Sequence, residues 1–142
     1  MARQFGTPIH CAQINRDGLV YVCDRGNNRI QVFRKDGTFV SEAQVAAQSR
    51  GSVSVHDIGF STDKGRQCAY VSDANRKKVW ILIRKDLAVV GSFVCVGHFA
   101  GQLTMPHSMS VDSKGNVYVG ETLEGKRVQR FRDTGLENRA GR

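Results

Sequence analysis

The sequence predicts an all-β repeat protein built from three four-stranded antiparallel units, and three observations support this fold class. Short runs of alternating apolar and polar residues recur along the chain, as expected of half-buried strands. Turn segments separate these runs at short intervals, and the 142 residues include 15 glycines but only two prolines. One pattern also occurs three times, which indicates a repeat architecture.

The repeated pattern has the same landmarks in each copy. A histidine opens the segment, a tyrosine follows a glycine-containing turn, an acid lies three residues after the tyrosine, and a second apolar run comes next. The tyrosines are separated by 49 and 48 residues. The shared positions are His10, Tyr21 and Asp24; His56, Tyr70 and Asp73; and His107, Tyr118 and Glu121.

Each unit divides into strands in the same order. In the first, "HCAQIN", "LVYVCD", "RIQVFR" and "TFVSEAQV" are predicted strands, joined at "RDG", "RGNN" and "KDG". The second runs to "AVVGSFVCV", whereas the third is followed by "RDTGLENRAGR", a charged segment and a poor fourth strand. Four antiparallel strands in roughly 40 to 50 residues is the size of a β-propeller blade. We expect one domain at 1–133, with blades at 7–48, 53–97 and 104–133, and a polar tail at 134–142.

The repeat resembles a known family. "DGLVYVCDRGNNRIQVFRKDGTFV" resembles an NHL repeat, "PHSMSVDSKGNVYVGETLEGKRVQRF" is a second similar segment, and the middle unit is a looser match. The resemblance implies a propeller of usually six blades, and is nearest to bacterial NHL proteins similar to peptidyl-α-hydroxyglycine lyase. Three blades would leave two apolar faces exposed. We therefore expect a homodimer that closes the ring head to tail, with residues 2–6 of one chain pairing with the partner's last blade. The alternative is half of a longer propeller.

The opening histidines are candidate metal ligands. His10, His56 and His107 all fall where the innermost strand of a blade begins, so they would approach the mouth of the central channel. Three imidazoles there could hold Zn²⁺ with one position open for water or substrate. The lyase resemblance implies the same, since histidines facing the channel hold zinc in that enzyme. The alternative is that they are polar channel liners. We expect no other cofactor.

The repeated acids are predicted to be structural. Asp24, Asp73 and Glu121 each end a second strand, where a carboxylate can cap loop amides and pair with a nearby basic residue. A catalytic carboxylate or Ca²⁺ ligand is the alternative.

Basic side chains gather near the loops between second and third strands, which lie on one side of a propeller. They would form a basic face able to bind an anionic partner, including single-stranded RNA as some NHL propellers do. The candidates are Arg25, Arg29, Arg76, Lys77, Lys78, Lys126 and Arg127.

Composition limits the remaining classes. The net charge of +8 suits polyanions in general, and no apolar window is long enough to span a membrane. Cys11 and Cys23 could face each other across a hairpin turning at Asp17, but we expect free, largely buried thiols at all four cysteines. Free thiols and the absence of an apolar signal-type segment favour a cytoplasmic location.

For function, the sequence favours a binding or scaffold module that recognises a protein or anionic ligand at the channel mouth or the basic face. A metal-dependent lyase or hydrolase and a single-stranded RNA-binding protein are the alternatives. No nucleophile elbow or phosphate loop is present, so no catalytic residue is assigned and enzyme activity stays open.

Overall fold

The fold consists almost entirely of antiparallel β-sheet. A computed structural model describes residues 4–45, 54–65 and 67–134. Within these residues the only helix is the 3₁₀ turn Arg25–Asn27, and none is long and apolar enough to cross a membrane. The all-β prediction is confirmed.

Three antiparallel sheets follow one another along the chain. Sheet 1 contains β1 (Cys11–Ile14), β2 (Val20–Asp24), β3 (Arg29–Phe33) and β4 (Phe39–Gln44) in that order. Sheet 2 contains β5 (Val55–Phe60), β6 (Cys68–Asp73), β7 (Lys78–Ile83) and β8 (Ala88–Phe93). Sheet 3 contains β11 (Pro106–Val111), β12 (Val117–Glu121) and β13 (Arg127–Phe131). Between sheets 2 and 3, β9 (Cys95–Val96) pairs in parallel with β10 (Gln102–Leu103).

Sheet 3 has three strands in the described part of the chain. The predicted tail at 134–142 lies outside the described residues except for Thr134. The first strand of each sheet, β1, β5 and β11, begins beside a histidine, and β5 contacts both β1 and β11. These three inner strands therefore bring the start of every repeat to one place.

The cores lie between the sheets. Tyr21 of β2 packs edge-on against Phe60 of β5, with ring centroids 4.8 Å apart. Both residues belong to the buried cluster between sheets 1 and 2. A second cluster between sheets 2 and 3 includes Phe93 and Phe131, whose centroids are 5.3 Å apart. Face-to-face burial of this kind explains why both faces of β7 are apolar.

The expectation of free thiols is wrong for Cys11 and Cys23, which form a disulfide. The β1–β2 register places them directly opposite each other with Cα atoms 4.8 Å apart, close enough for a bridge. Cys68 and Cys95 are free, but Cys95 is exposed and Cys68 half-buried rather than enclosed. The argument for a reducing compartment loses its main support, because it depended on the first pair.

Candidate functional site

The three opening histidines meet at one point, which we call the axial histidine cluster (His10, His56 and His107). The ring centroids of His10 lie 4.6 Å from those of both His56 and His107, and the last two are 5.4 Å apart. One ligand nitrogen from each ring lies within 4.8 Å of the other two. The cluster is therefore a compact triangle drawn from three different sheets.

A hydrogen bond orients the His10 ring, and the His56 ring is enclosed by burial. The Nδ1 of His10 lies 2.7 Å from the carbonyl oxygen of His56, and since a carbonyl can only accept, Nδ1 is the donor in this hydrogen bond. His56 is 1% exposed, and its Nδ1 has no hydrogen-bond partner among the described residues. Buried imidazole nitrogens normally have a hydrogen-bond partner, so this position is unusual.

Burial and nearby positive charge keep two of the rings neutral. Burial lowers the pKa of His56 to about 4, and the positive charges of Arg25 and His10 act in the same direction. Burial also lowers the pKa of His107, again helped by His10 and Arg25, while Asp57 opposes the shift. Neutral imidazole is the form that binds metal ions.

Arg25 is the neighbouring residue whose role sequence reasoning missed, since it was assigned only to the basic face. It begins the 3₁₀ turn after β2, and its Nε is buried without a hydrogen-bond partner in the described residues. Gly26 allows this turn to lie against the N-terminal segment, because a Cβ there would come within 2.6 Å of the Thr7 amide nitrogen. A buried guanidinium nitrogen near His56 and His107 is suited to an anion.

Asp57 is a second residue that the sequence did not single out. It follows His56 in β5, and its carboxylate accepts the amide of Met109 in β11 at 2.9 Å and a longer bond from Gln13 in β1 at 3.5 Å. The carboxylate thereby links all three inner strands at the residue after His56. Only its position next to His56 could have suggested this role.

The repeated acids lie within their own sheets, away from one another. Burial raises the pKa of Asp24, but hydrogen bonds from Asn27, Arg29, Gly6 and Gln31 outweigh it and the net pKa lies below its ordinary value. The Arg29 Nε donates to Asp24 at 2.7 Å, with the two side chains 3% and 0% exposed.

Glu121 repeats this arrangement in sheet 3. Burial raises the pKa of Glu121, but hydrogen bonds from the Thr104 amide, Arg127, the Met105 amide and Gln129 outweigh this effect. The net pKa lies below its ordinary value. The Arg127 Nε donates to Glu121 at 2.6 Å and the Thr104 amide also donates at 2.6 Å.

Asp73 in sheet 2 differs from the other two acids. It accepts the Trp80 Nε1 at 2.8 Å and the Arg76 amide at 2.9 Å. Burial raises its pKa, and these bonds do not offset the effect. Lys78, at the position of Arg29, instead places its Nζ over the Trp80 ring, 4.9 Å from the centroid.

Some of the basic residues form ion pairs within their sheets, and others lie at the surface. Arg29 is buried in its pair with Asp24 and also bonds Glu42 at 2.9 Å, and Arg127 is paired with Glu121. Lys126 is exposed, and Arg76, Lys77 and Lys78 are half-buried. His98, the fourth histidine, is exposed and lies apart from the cluster, with its Nδ1 3.4 Å from the Thr104 hydroxyl. RNA binding by this face stays a prediction.

The comparisons with known proteins first define the class. The fold matches the β-propeller domain of the Cps50 (Swd1) protein of Myceliophteria thermophila with a TM-score of 0.64, at 14% identity, over 89% of this chain and 38% of that one. It matches virginiamycin B lyase from Staphylococcus aureus with a TM-score of 0.62, at 15% identity, over 95% of this chain and 44% of that one. The sheets are therefore β-propeller sheets.

Within that class, residues 9–33 match the family model of the NHL repeat. The chain is 32% identical to human NHL repeat-containing protein 3 over 132 residues, which is 90% of this chain and 36% of the relative. The chain thus contains a segment that matches the NHL repeat and is similar to an NHL repeat-containing protein, as its sequence predicted, and it spans about a third of the length of that relative. The matched curated relatives are human and mouse, so they do not support the bacterial affiliation expected from the sequence.

Proposed function

We propose that this chain is a binding module of the NHL β-propeller type. Its axial histidine cluster binds a divalent metal ion, of which zinc fits best, together with an anionic ligand. The observation that carries the proposal is the convergence of three ligand nitrogens to within 4.8 Å. Propeller folds serve many functions, so the argument depends on this site and not on the fold.

The donor set fits zinc. Three nitrogens at Zn–N distances of about 2.0–2.1 Å require N–N separations of roughly 3.4 Å in a tetrahedron, so small ring movements would close the cluster on an ion. His10 already donates its Nδ1 proton to a backbone carbonyl, which is the usual outer contact of a metal-binding histidine. His56 and His107 are held in the neutral form, so binding at neutral pH need displace no proton from them.

Arg25 supports an anionic ligand. A cation at the cluster would be repelled by this guanidinium, whose positive charge already lowers the pKa of both His56 and His107. An anion bound at the open position would offset that repulsion and give the buried Nε of Arg25 a partner. A bound Zn²⁺ would polarise such a ligand or activate a water molecule.

A zinc titration tests the proposal. Isothermal titration at pH 7 should give one zinc per chain for the unmodified protein, and His107→Ala should weaken binding at least about 100-fold, since loss of outer contacts alone costs 10- to 100-fold. His98→Ala is the matched control and should leave the affinity unchanged. Equal affinity in the His107→Ala and unmodified proteins would contradict the proposal.

The anion is tested separately, with phosphate and acetate as probes of the zinc-loaded protein. Arg25→Gln should tighten zinc binding, because a repulsive charge is removed, and should weaken anion binding about tenfold or more. Weaker zinc binding in this variant would mean that Arg25 supports the site in another way.

Catalysis is a second candidate, favoured by one observation. Three protein ligands leave a fourth position open, which is the pattern of catalytic rather than structural zinc sites. Zinc-dependent turnover of a hydroxyglycine-type or ester substrate that disappears in His107→Ala would support it.

A further inference from the structure

Each sheet has two faces, and the chain forms the same sheet-to-sheet interface twice. We call the face toward the preceding sheet the upstream face and the other the downstream face. In sheet 2 the upstream face packs in the core with sheet 1, and in sheet 3 it packs with sheet 2. The upstream residues are Ile58, Phe60, Ala69, Val71 and Leu82 in sheet 2, and Met109, Val111, Val117, Val119 and Phe131 in sheet 3.

Sheet 1 carries the same apolar set on its upstream face. Counting from the opening histidine and the tyrosine, and following the strand register, the equivalent residues are Ala12, Ile14, Val20, Val22 and Phe33. Ile14 is 61% exposed, whereas Phe60 at the same place in sheet 2 is 8% exposed. Phe5 of the N-terminal segment approaches this face at Phe33, with ring centroids 5.8 Å apart.

The N-terminal segment itself lacks a neighbour that its counterpart has. Gln4 accepts a bond from Arg29 through its carbonyl, as Gln102 does from Arg127. By this equivalence Phe5 corresponds to Leu103, which is fully buried and belongs to β10, paired with β9, the strand that follows the preceding sheet in the chain. Phe5 is 37% exposed, so the upstream side of sheet 1 has the form of an interface without its preceding sheet.

The downstream face of sheet 3 is the other half of that interface. Val128 lies at the repeat position of Ile30 and Val79, opposite Gly120, and is 70% exposed where those two residues are fully buried. Tyr118 lies on the same face at the position of Tyr21 and Tyr70. One end of the described chain therefore shows an upstream face and the other a downstream face.

We propose that the upstream face of sheet 1 binds the downstream face of sheet 3 from a second copy of this chain. The two faces lie at opposite ends of one arc of sheets, so a second copy can supply both missing halves at once. Two identical heterologous contacts related by a two-fold axis close a ring. The chain aligns with 44% and 38% of two β-propeller chains, so two copies would span most of such a propeller. An exposed apolar sheet face is otherwise a site of aggregation.

The first test is the molar mass of the 142-residue chain by light scattering after size exclusion, at two concentrations. We expect twice 15.7 kDa, and 15.7 kDa for Ile14→Asp and for Val128→Asp. Val90→Asp is the control, since Val90 is 58% exposed on the outer strand of sheet 2, away from both end faces, and should stay dimeric. A monomeric unmodified chain would overturn the proposal and assign the faces to other propeller sheets.

Mixing the two variants tests the direction of pairing. In an equimolar mixture of Ile14→Asp and Val128→Asp, a heterodimer has one interface with both substitutions and one with neither, so dimer should reappear. That recovery would also show that both variants are folded. Failure to recover dimer, or a Val128→Asp protein that dimerises by itself, would overturn head-to-tail pairing.

Discussion

The axial histidine cluster and the repeated acids occur with the same frequency, once per sheet, but only the histidines come together. Their ring centroids are 4.6 to 5.4 Å apart, whereas Asp24 and Glu121 each bind an arginine of their own sheet. The difference follows from position in the repeat. A residue at the start of an inner strand points to where all sheets meet, and a residue at the end of the second strand does not.

This comparison refines the meaning of a repeated polar residue in a propeller. Away from the axis, repetition is what a local stabilising role produces, because each sheet needs its own set of hydrogen bonds. At the start of the inner strands, repetition instead brings the three histidines to one place.

The largest effect on stability is expected for Asp24→Asn. The substitution leaves the buried Arg29 guanidinium without its closest anion, so we expect a loss of about 3 kcal/mol in the free energy of unfolding. Urea unfolding of the variant measures it, and zinc stoichiometry should not change. The exposed Asp36→Asn is the control, with a change within about 0.5 kcal/mol. A large loss of zinc binding in Asp24→Asn would break the distinction between the two groups.

A smaller effect is expected in the pH dependence of stability. The folded-state pKa values of Asp24 and Glu121 are depressed, so the unfolded chain binds more protons as the pH falls. Their contribution is present above the ordinary carboxyl pKa, about 4, and is lost as the pH falls through the folded values. Urea midpoints between pH 7 and pH 3 should show this acid-side decline, and the double variant Asp24→Asn, Glu121→Gln should flatten it. An unchanged slope in the double variant would count against the assignment.

The smallest effect is expected for Asp73→Asn. The folded-state pKa of Asp73 is raised by burial, so this group contributes stability below its unfolded pKa and loses it as the pH rises through the folded value. An asparagine keeps an oxygen that accepts the Trp80 Nε1 and carries no buried charge. The loss in the free energy of unfolding at pH 7 should therefore be under about 1 kcal/mol. Thermal or urea unfolding of the Asp73→Asn and Asp24→Asn variants measured side by side provides the check. Equal losses of stability in the two variants would contradict the different roles of the acids in sheets 1 and 2.

The repeat spacing was sufficient to predict the all-β fold and the NHL type, because strand periodicity and turn residues are local signals that survive without tertiary information. The convergence of His10, His56 and His107 also followed, since it depends only on the start of each inner strand. The symmetry of Cys11 and Cys23 about Asp17 suggested that they face each other, as the register shows, but the disulfide itself was not expected, because cross-strand bonds of this kind are often strained. The burial of the Arg25 Nε and the contacts of Asp57 depend on how the sheets pack, which no pattern in one repeat reveals.

The central claim is that the three histidines act as one metal site, and X-ray absorption at the zinc edge of the zinc-loaded protein tests it most directly. The account predicts three imidazole nitrogens at about 2.0–2.1 Å and one lighter ligand per zinc. Zinc that is lost on dialysis, or zinc bound through sulfur or carboxylates alone, would contradict it.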